Sequence, residues 1–214
     1  MAKQIPKRLQ FLHGFLANQT GLLHMRWGVY SKLYRADPRK RELLWWGAPG
    51  LFGMLDQAIL DSIVLMLVKL LDPAELGKRR NATFDRLAET VRSSRLRKRV
   101  DAALQPARSF ADALRIRRNK QLAHVDVRVA QGRYPRTWPN KTLKDLEAAL
   151  DSLGATLNAI SEHYGLDVVD FRGFGDMASG VDQLVSRLSD LRRLRPRDNS
   201  PRPGTRLKPP ARVD

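Results

Sequence analysis

The chain has no cysteine among its 214 residues. That excludes disulfides, thiolate metal sites and a cysteine nucleophile, and it suits a reducing compartment. A Walker A loop, a GxGxxG after a strand and a GxSxG elbow are also missing, which excludes the commonest nucleotide-loop and serine-hydrolase designs. The histidines His13, His24, His124 and His163 lack metal-ligand spacing. No metal and no cofactor is therefore expected. Residues 1–36 contain no Asp or Glu, as in an organellar presequence. Their apolar positions continue past Trp27, which points instead to an amphipathic first helix. His13 and Gly14 break the early apolar stretch and no small-residue cleavage site follows, so no secretory signal is read and a cytoplasmic location is expected. The apolar run 43–71 is interrupted by Asp56, Asp61 and Lys69. It falls short of a membrane span, so a central buried helix and no membrane insertion are expected.

What is abundant is positive charge. The net charge is +17 and the pI about 11.0, a field that favours polyanions, with RNA the expected partner. From Arg92 to Lys120 ten basic residues face only Asp101 and Asp112; from Arg192 onward eight face only Asp198 and Asp214. Those two segments hold +14 of the +17. Clustering of this kind suits salt-dependent phosphate binding. A solvated helix face with a solubilising tail would carry the same charge.

Helical periodicity runs through most of the chain. Leu9, Leu12, Leu16, Leu23, Trp27, Tyr30 and Tyr34 mark the first helix. Asp37-Pro38 is an N-cap followed by proline at the first helical position. The next helix is apolar on two sides, with Phe52, Ile59 and Ile63 on one and Leu60, Val64 and Leu67 on another. Asp72-Pro73-Ala74-Glu75 reads as a capping box opening a short helical turn. Thr83 can cap a short helix containing Phe84, Leu87 and Val91. A long helix to about Val125 follows, with a possible bend at Pro106. Residues 131–140 read as a loop. Thr142 with Asp145 opens another helix, Gly165 ends it, FRGFGD reads as a flexible connector, and a last helix carries Val181 to Leu191. The expected fold is an all-α helical bundle over residues 1–193, with a disordered Pro/Arg-rich tail over 194–214.

Candidate chemistry sits near the end of the long helix. Leu104, Ala107, Ala111, Leu114, Arg118, Leu122 and Val125 share one face. Arg118 thus occupies a core slot, where an unpartnered guanidinium is costly. Either it pairs with a carboxylate such as Asp61 or Asp56, or its position opens to a cleft or a dimer seam. Arg117 and Lys120 lie close in angle to His124. Their charge would favour the neutral imidazole that a general base needs. On a straight helix Arg118 and His124 diverge by about 120°, so a compact site needs a bend or a second copy of the helix. Trp45, Trp46 and Trp138 could stack on bases, although core or interface packing is the commoner use.

RNKQLAH, residues 118–124, resembles the Arg-polar-x-x-x-x-His motif of the HEPN superfamily. The segments LFGMLDQAILDSIVLMLVKLLDPAE, NATFDRL and LKDLEAALDSLGATLNAISEHYG resemble its abortive-infection, Abi U-type branch. The resemblance covers roughly residues 40–190. It implies a helical bundle that homodimerises with motifs from two protomers facing one cleft. It also implies metal-independent endoribonuclease chemistry of phage-defence or toxin type. In that scheme the ribose 2′-OH attacks the adjacent phosphate, His124 serves as general acid or base, Arg118 stabilises the charged phosphorane and Asn119 orients the His or a phosphate oxygen. Asp126 would support an arginine near the site. Arg115, Arg117, Lys120, Arg95, Arg97, Lys98 and Arg99 would bind RNA. The motif selects Arg118 over Arg117 as the substrate-facing arginine. Some members of the superfamily lack catalysis and serve as nucleic-acid or protein-binding regulatory modules. A cognate antitoxin or regulatory protein is a further partner class. A ribosome- or membrane-associated basic protein working through its tail is the remaining reading.

Overall fold

A computed structural model describes residues 4–76, 79–117, 142–176 and 179–194. The chain forms α1 (Lys7–Tyr34), α2 (Pro38–Gly47), α3 (Pro49–Leu70), β1 (Glu75–Leu76), β2 (Arg79–Arg80), α4 (Phe84–Thr90), α5 (Ser94–Arg117), α6 (Leu143–Tyr164), α7 (Gly173–Asp176) and α8 (Ser179–Leu194). The all-α expectation holds. Among the described residues the one addition is a two-residue antiparallel ladder, Glu75 opposite Arg80 and Leu76 opposite Arg79.

Local chemistry sets several boundaries. Asp37 accepts from the Arg39 N–H at 2.8 Å ahead of Pro38, as the sequence predicts. Thr142 and Asp145 form a reciprocal capping box, which satisfies two orphan N–H groups at the start of α6. Gly165 ends α6 with φ 68°, a left-handed conformation that strains any residue with a Cβ. Thr83 accepts from the Arg86 N–H to open α4.

Three expectations are corrected. First, the apolar run is broken. Pro49 has no N–H and forces Ala48 out of the helical region, to φ −157° and ψ 79°, so α2 and α3 are separate helices. Second, α3 is not the buried centre. It is long and apolar enough by composition to cross a bilayer, yet only 33% of that apolar window is buried. Ile63, Val64, Leu67 and Val68 face the core, while Leu51 and Met54 face water. The hub is α1, which touches α2, α3, α4, α6, α7 and α8. Third, Glu75 caps no helix. It lies in the ladder and accepts from Arg86 Nη2 at 2.8 Å.

The most extensive helix pair is α5 on α6. Leu104, Ala107, Ala111 and Leu114 of α5 are completely buried beside Leu146, Leu150 and Leu153 of α6. Pro106 sits inside α5, where its ring removes one ladder N–H. The buried Ser152 hydroxyl meets the helix beside it. It donates to the Ala103 carbonyl at 2.6 Å and accepts from the Ala107 N–H at 3.3 Å.

Two histidines tie α1 to α6. His24 Nε2 donates to the Leu150 carbonyl at 3.2 Å, and His13 Nε2 donates to the Leu157 carbonyl at 3.1 Å. Burial lowers the pKa of both below the usual histidine value, partly offset by these carbonyl bonds.

FRGFGD is not a loose connector. Phe171 is buried against His24, and Phe174 packs over Gly21. The backbones of Gly28 and Gly175 approach so closely that a Cβ on Gly28 would lie 2.4 Å from the Gly175 carbonyl oxygen. Absence of a side chain at Gly28 is what lets α7 seat on α1.

Candidate nucleic-acid interface

The functional residues expected from the sequence fall on α5 and on the segment after it. Arg118, Asn119, Lys120, His124 and Asp126 lie outside the described residues, as do Trp138 and the tail 195–214. The side chain of Arg117 is likewise outside them. What the structure provides is the platform from which the motif departs. The first four positions of the expected core stripe, Leu104 to Leu114, are buried as predicted. One residue later, Arg115 donates through Nη2 to the Leu71 carbonyl at 2.7 Å and pairs with Asp112. The last described turn of α5 is therefore fastened to the C-terminal end of α3.

The basic residues of α5 divide into two kinds. Arg97 donates to the carbonyls of Glu89 and Val91 at 2.8 and 2.9 Å, satisfying orphan acceptors at the end of α4. Arg99 pairs with Glu162 of α6. Arg108 bridges Asp85 at 2.7 Å and Asp101 at 3.1 Å. These guanidiniums, with that of Arg115, hold the bundle together. Arg95 and Lys98 on α5, and Arg92 just ahead of it, are exposed and have no ion pair among the described residues.

The expected RNA-binding set is thus not one patch. Arg95 lies 22 residues before Arg117 on one helix, a separation of about 33 Å at 1.5 Å per residue. The free cations cluster at the N-terminal end of α5, and the motif follows its C-terminal end. A polyanion touching both must run the length of the helix.

Sequence reasoning missed the ion network beside this platform. Arg86 bonds Glu75, Glu89 and the Ala74 carbonyl. Two of these partners, Glu75 and Glu89, line a groove of about 600 Å³ together with Asp85, Asp101, Arg97 and Arg108. The Arg86 hydrogen bond and charge hold the Glu75 carboxyl below its ordinary pKa. The signal lay in the acidic residues of α4, which a count of cations passes over.

The carboxylates considered as partners for Arg118 have neighbours of their own. Asp56 receives the Tyr30 hydroxyl, with Arg41 nearby, and burial raises its pKa. The same burial and the Asp56 charge push Tyr34 up to about 12. Asp61 accepts from Gln57 Nε2 at 2.7 Å. Trp45 packs over Gly53, and Trp46 lies 5.9 Å from the Arg192 guanidinium; both tryptophans pack within the fold. Among the described residues, no group of three or more His, Asp or Glu side chains is placed to hold a metal.

The family model HEPN_AbiU2, described as AbiU2, matches residues 7–178. The match takes in α1, which the sequence resemblance did not reach, and stops before α8. No curated protein and no solved structure matches the chain.

Proposed function

Since this chain belongs to the HEPN_AbiU2 family, we propose that it is a metal-independent endoribonuclease of abortive infection, working as a homodimer. The observation that carries this reading is the position of RNKQLAH. It lies inside the matched region and directly follows a helix fastened to α3 through Arg115.

In this mechanism the RNA backbone lies along α5, with Arg92, Arg95 and Lys98 as its distal electrostatic anchor. At the motif, the ribose 2′-OH attacks the adjacent phosphorus. Neutral His124 accepts the hydroxyl proton or, in its protonated form, delivers a proton to the departing 5′-oxygen. Arg118 neutralises charge that accumulates on the phosphorane, where a fixed cation is worth most. Asn119 orients the imidazole or a phosphate oxygen, and Asp126 supports a nearby arginine. The products are a 2′,3′-cyclic phosphate and a 5′-hydroxyl. An antitoxin or regulatory protein would hold the activity in check.

Single-turnover cleavage of end-labelled RNA by Arg118→Ala and Arg117→Ala tests the assignment. Arg118→Ala should lower the rate by about 100-fold or more, while Arg117→Ala chiefly weakens binding. Equal, small losses in both would contradict the role given to Arg118. Salt-sensitive RNA binding without cleavage would favour a non-catalytic module of the same fold.

A further inference from the structure

Helix α1 buries one side in the core and leaves a strip of apolar side chains in water. Phe11 is 71% exposed, Phe15 41% and Leu22 38%. At 100° per residue these three span an arc of about 40°, and exposed Asn18 lies beside Phe11. Cations edge the arc on both sides. Lys7 lies about 40° beyond Phe11, and Arg8 and Arg26 lie about 20° beyond Phe15. All three are exposed.

These edges are not neutralised. Residues 1–36 hold no Asp or Glu. Farther along, Lys32 is paired with Asp182 and Arg35 with Glu147. Lys7, Arg8 and Arg26 are in no ion pair among the described residues. Arg26 instead donates to Ser62 Oγ at 3.0 Å and Met66 Sδ at 3.2 Å on α3. An apolar strip between two cationic edges complements a surface that is apolar in depth and anionic at its rim.

The place of the strip in the bundle separates it from the cations of α5. Helices α1 and α5 each pack on α3 and on α6, and they share no comparable contact with each other. They therefore stand at opposite corners of a four-helix square, with their open faces pointing apart. Arg95 and Lys98 lie across the bundle from Phe11. Two copies of α1 set face to face would oppose cation to cation, which disfavours that pairing.

We propose that this face of α1 binds the anionic surface of a lipid bilayer. Phe11, Phe15 and Leu22 enter the boundary between headgroups and acyl chains, and Lys7, Arg8 and Arg26 reach the headgroup phosphates. The helix lies in the plane of the membrane and does not cross it. The outward side of α5 then faces away from the bilayer and stays open to RNA. The inference is independent of the ribonuclease reading.

Co-sedimentation of the full chain with vesicles of phosphatidylcholine, with and without phosphatidylglycerol, tests the face. Binding should require phosphatidylglycerol and weaken with salt. The Pro/Arg-rich tail shares that attraction, so the deciding variants keep the charge. Phe11→Ser combined with Phe15→Ser should weaken partitioning at least about tenfold, with helical spectrum and RNA affinity unchanged. Leu191→Ser, at a leucine 56% exposed on α8, should leave partitioning unchanged. Lys7→Gln should weaken it about fivefold. In this cysteine-free chain an environment-sensitive dye on Asn18→Cys should shift to shorter wavelength on anionic vesicles. The same dye on Ala102→Cys, exposed on α5, should not shift. Absence of binding to phosphatidylglycerol vesicles would overturn the inference, as would equal binding by the double serine variant with the Asn18 dye unmoved. Loss of RNA affinity in that variant would overturn it and give the face to RNA. Loss of self-association with vesicle binding intact would overturn it and give the face to a second copy.

Discussion

The same substitution at two points of α1 should change stability in opposite directions. Gly28 and Gly14 both lie inside this helix. An alanine in place of an interior helix glycine gains about 1 kcal/mol of helix propensity. At Gly14 a Cβ meets nothing within 4 Å, so that gain stands. At Gly28 the Cβ would lie 2.4 Å from both the Cα and the carbonyl oxygen of Gly175. No rotamer relieves a clash between two backbones; α7 must move. Overpacking costs about 1–3 kcal/mol, occasionally more. With backbone on both sides the upper end applies, leaving a net loss of about 2 kcal/mol after the propensity gain. For a chain of this size each kcal/mol moves Tm by about 2–4 °C. Gly14→Ala should thus raise Tm by about 2–4 °C and Gly28→Ala lower it by about 4–8 °C, read by circular dichroism. Equal shifts in the two variants would refute the seating of α7 on α1.

Other consequences are equally specific. Ser152→Ala should destabilise by about 1–3 kcal/mol in urea unfolding, since it strips a buried partner from the Ala103 carbonyl and Ala107 N–H beside Pro106; unchanged stability would show that α5 closes its own ladder there. Burial keeps His13 and His24 neutral in the fold, so the unfolded chain takes up protons first. Stability should be full above the ordinary histidine pKa of about 6.5 and fall as pH drops below it. A Tm flat between pH 7.5 and 5 would contradict the neutral His–carbonyl tethers. Arg95→Ala and Lys98→Ala should each reduce the slope of log K for single-stranded RNA against log salt by about 0.7. Arg97→Ala should lower Tm instead, because its guanidinium bonds the carbonyls of Glu89 and Val91; the reverse pattern would redraw the interface.

The features legible in the sequence are those whose chemistry is local. Asp37 with Pro38, Thr142 with Asp145, and Gly165 each fix a helix end through neighbours one to three residues away. The core stripe from Leu104 to Leu114 follows from the helical period alone. What escaped depends on distant partners. The most apolar segment need not be the central one: α3 has a core face and an open face, and α1 holds the centre because Gly28 admits α7 and its histidines meet carbonyls of α6. FRGFGD is fixed by Gly28, far away in sequence. Charge counts placed Arg97, Arg99 and Arg115 on the RNA side. Their acceptors in α4, α6 and at the end of α3 became visible only in three dimensions. The motif itself is legible as an ordered pattern of residues, which the family match extends across α1.

The central claim is that His124 transfers the proton in a metal-independent cleavage. The direct measurement is cleavage of end-labelled single-stranded RNA by the full chain in EDTA, beside His124→Ala at matched RNA occupancy. The mechanism predicts 2′,3′-cyclic phosphate ends from the native chain and their loss in the variant, with binding retained. Cleavage that survives His124→Ala, or that requires a divalent cation, would contradict it.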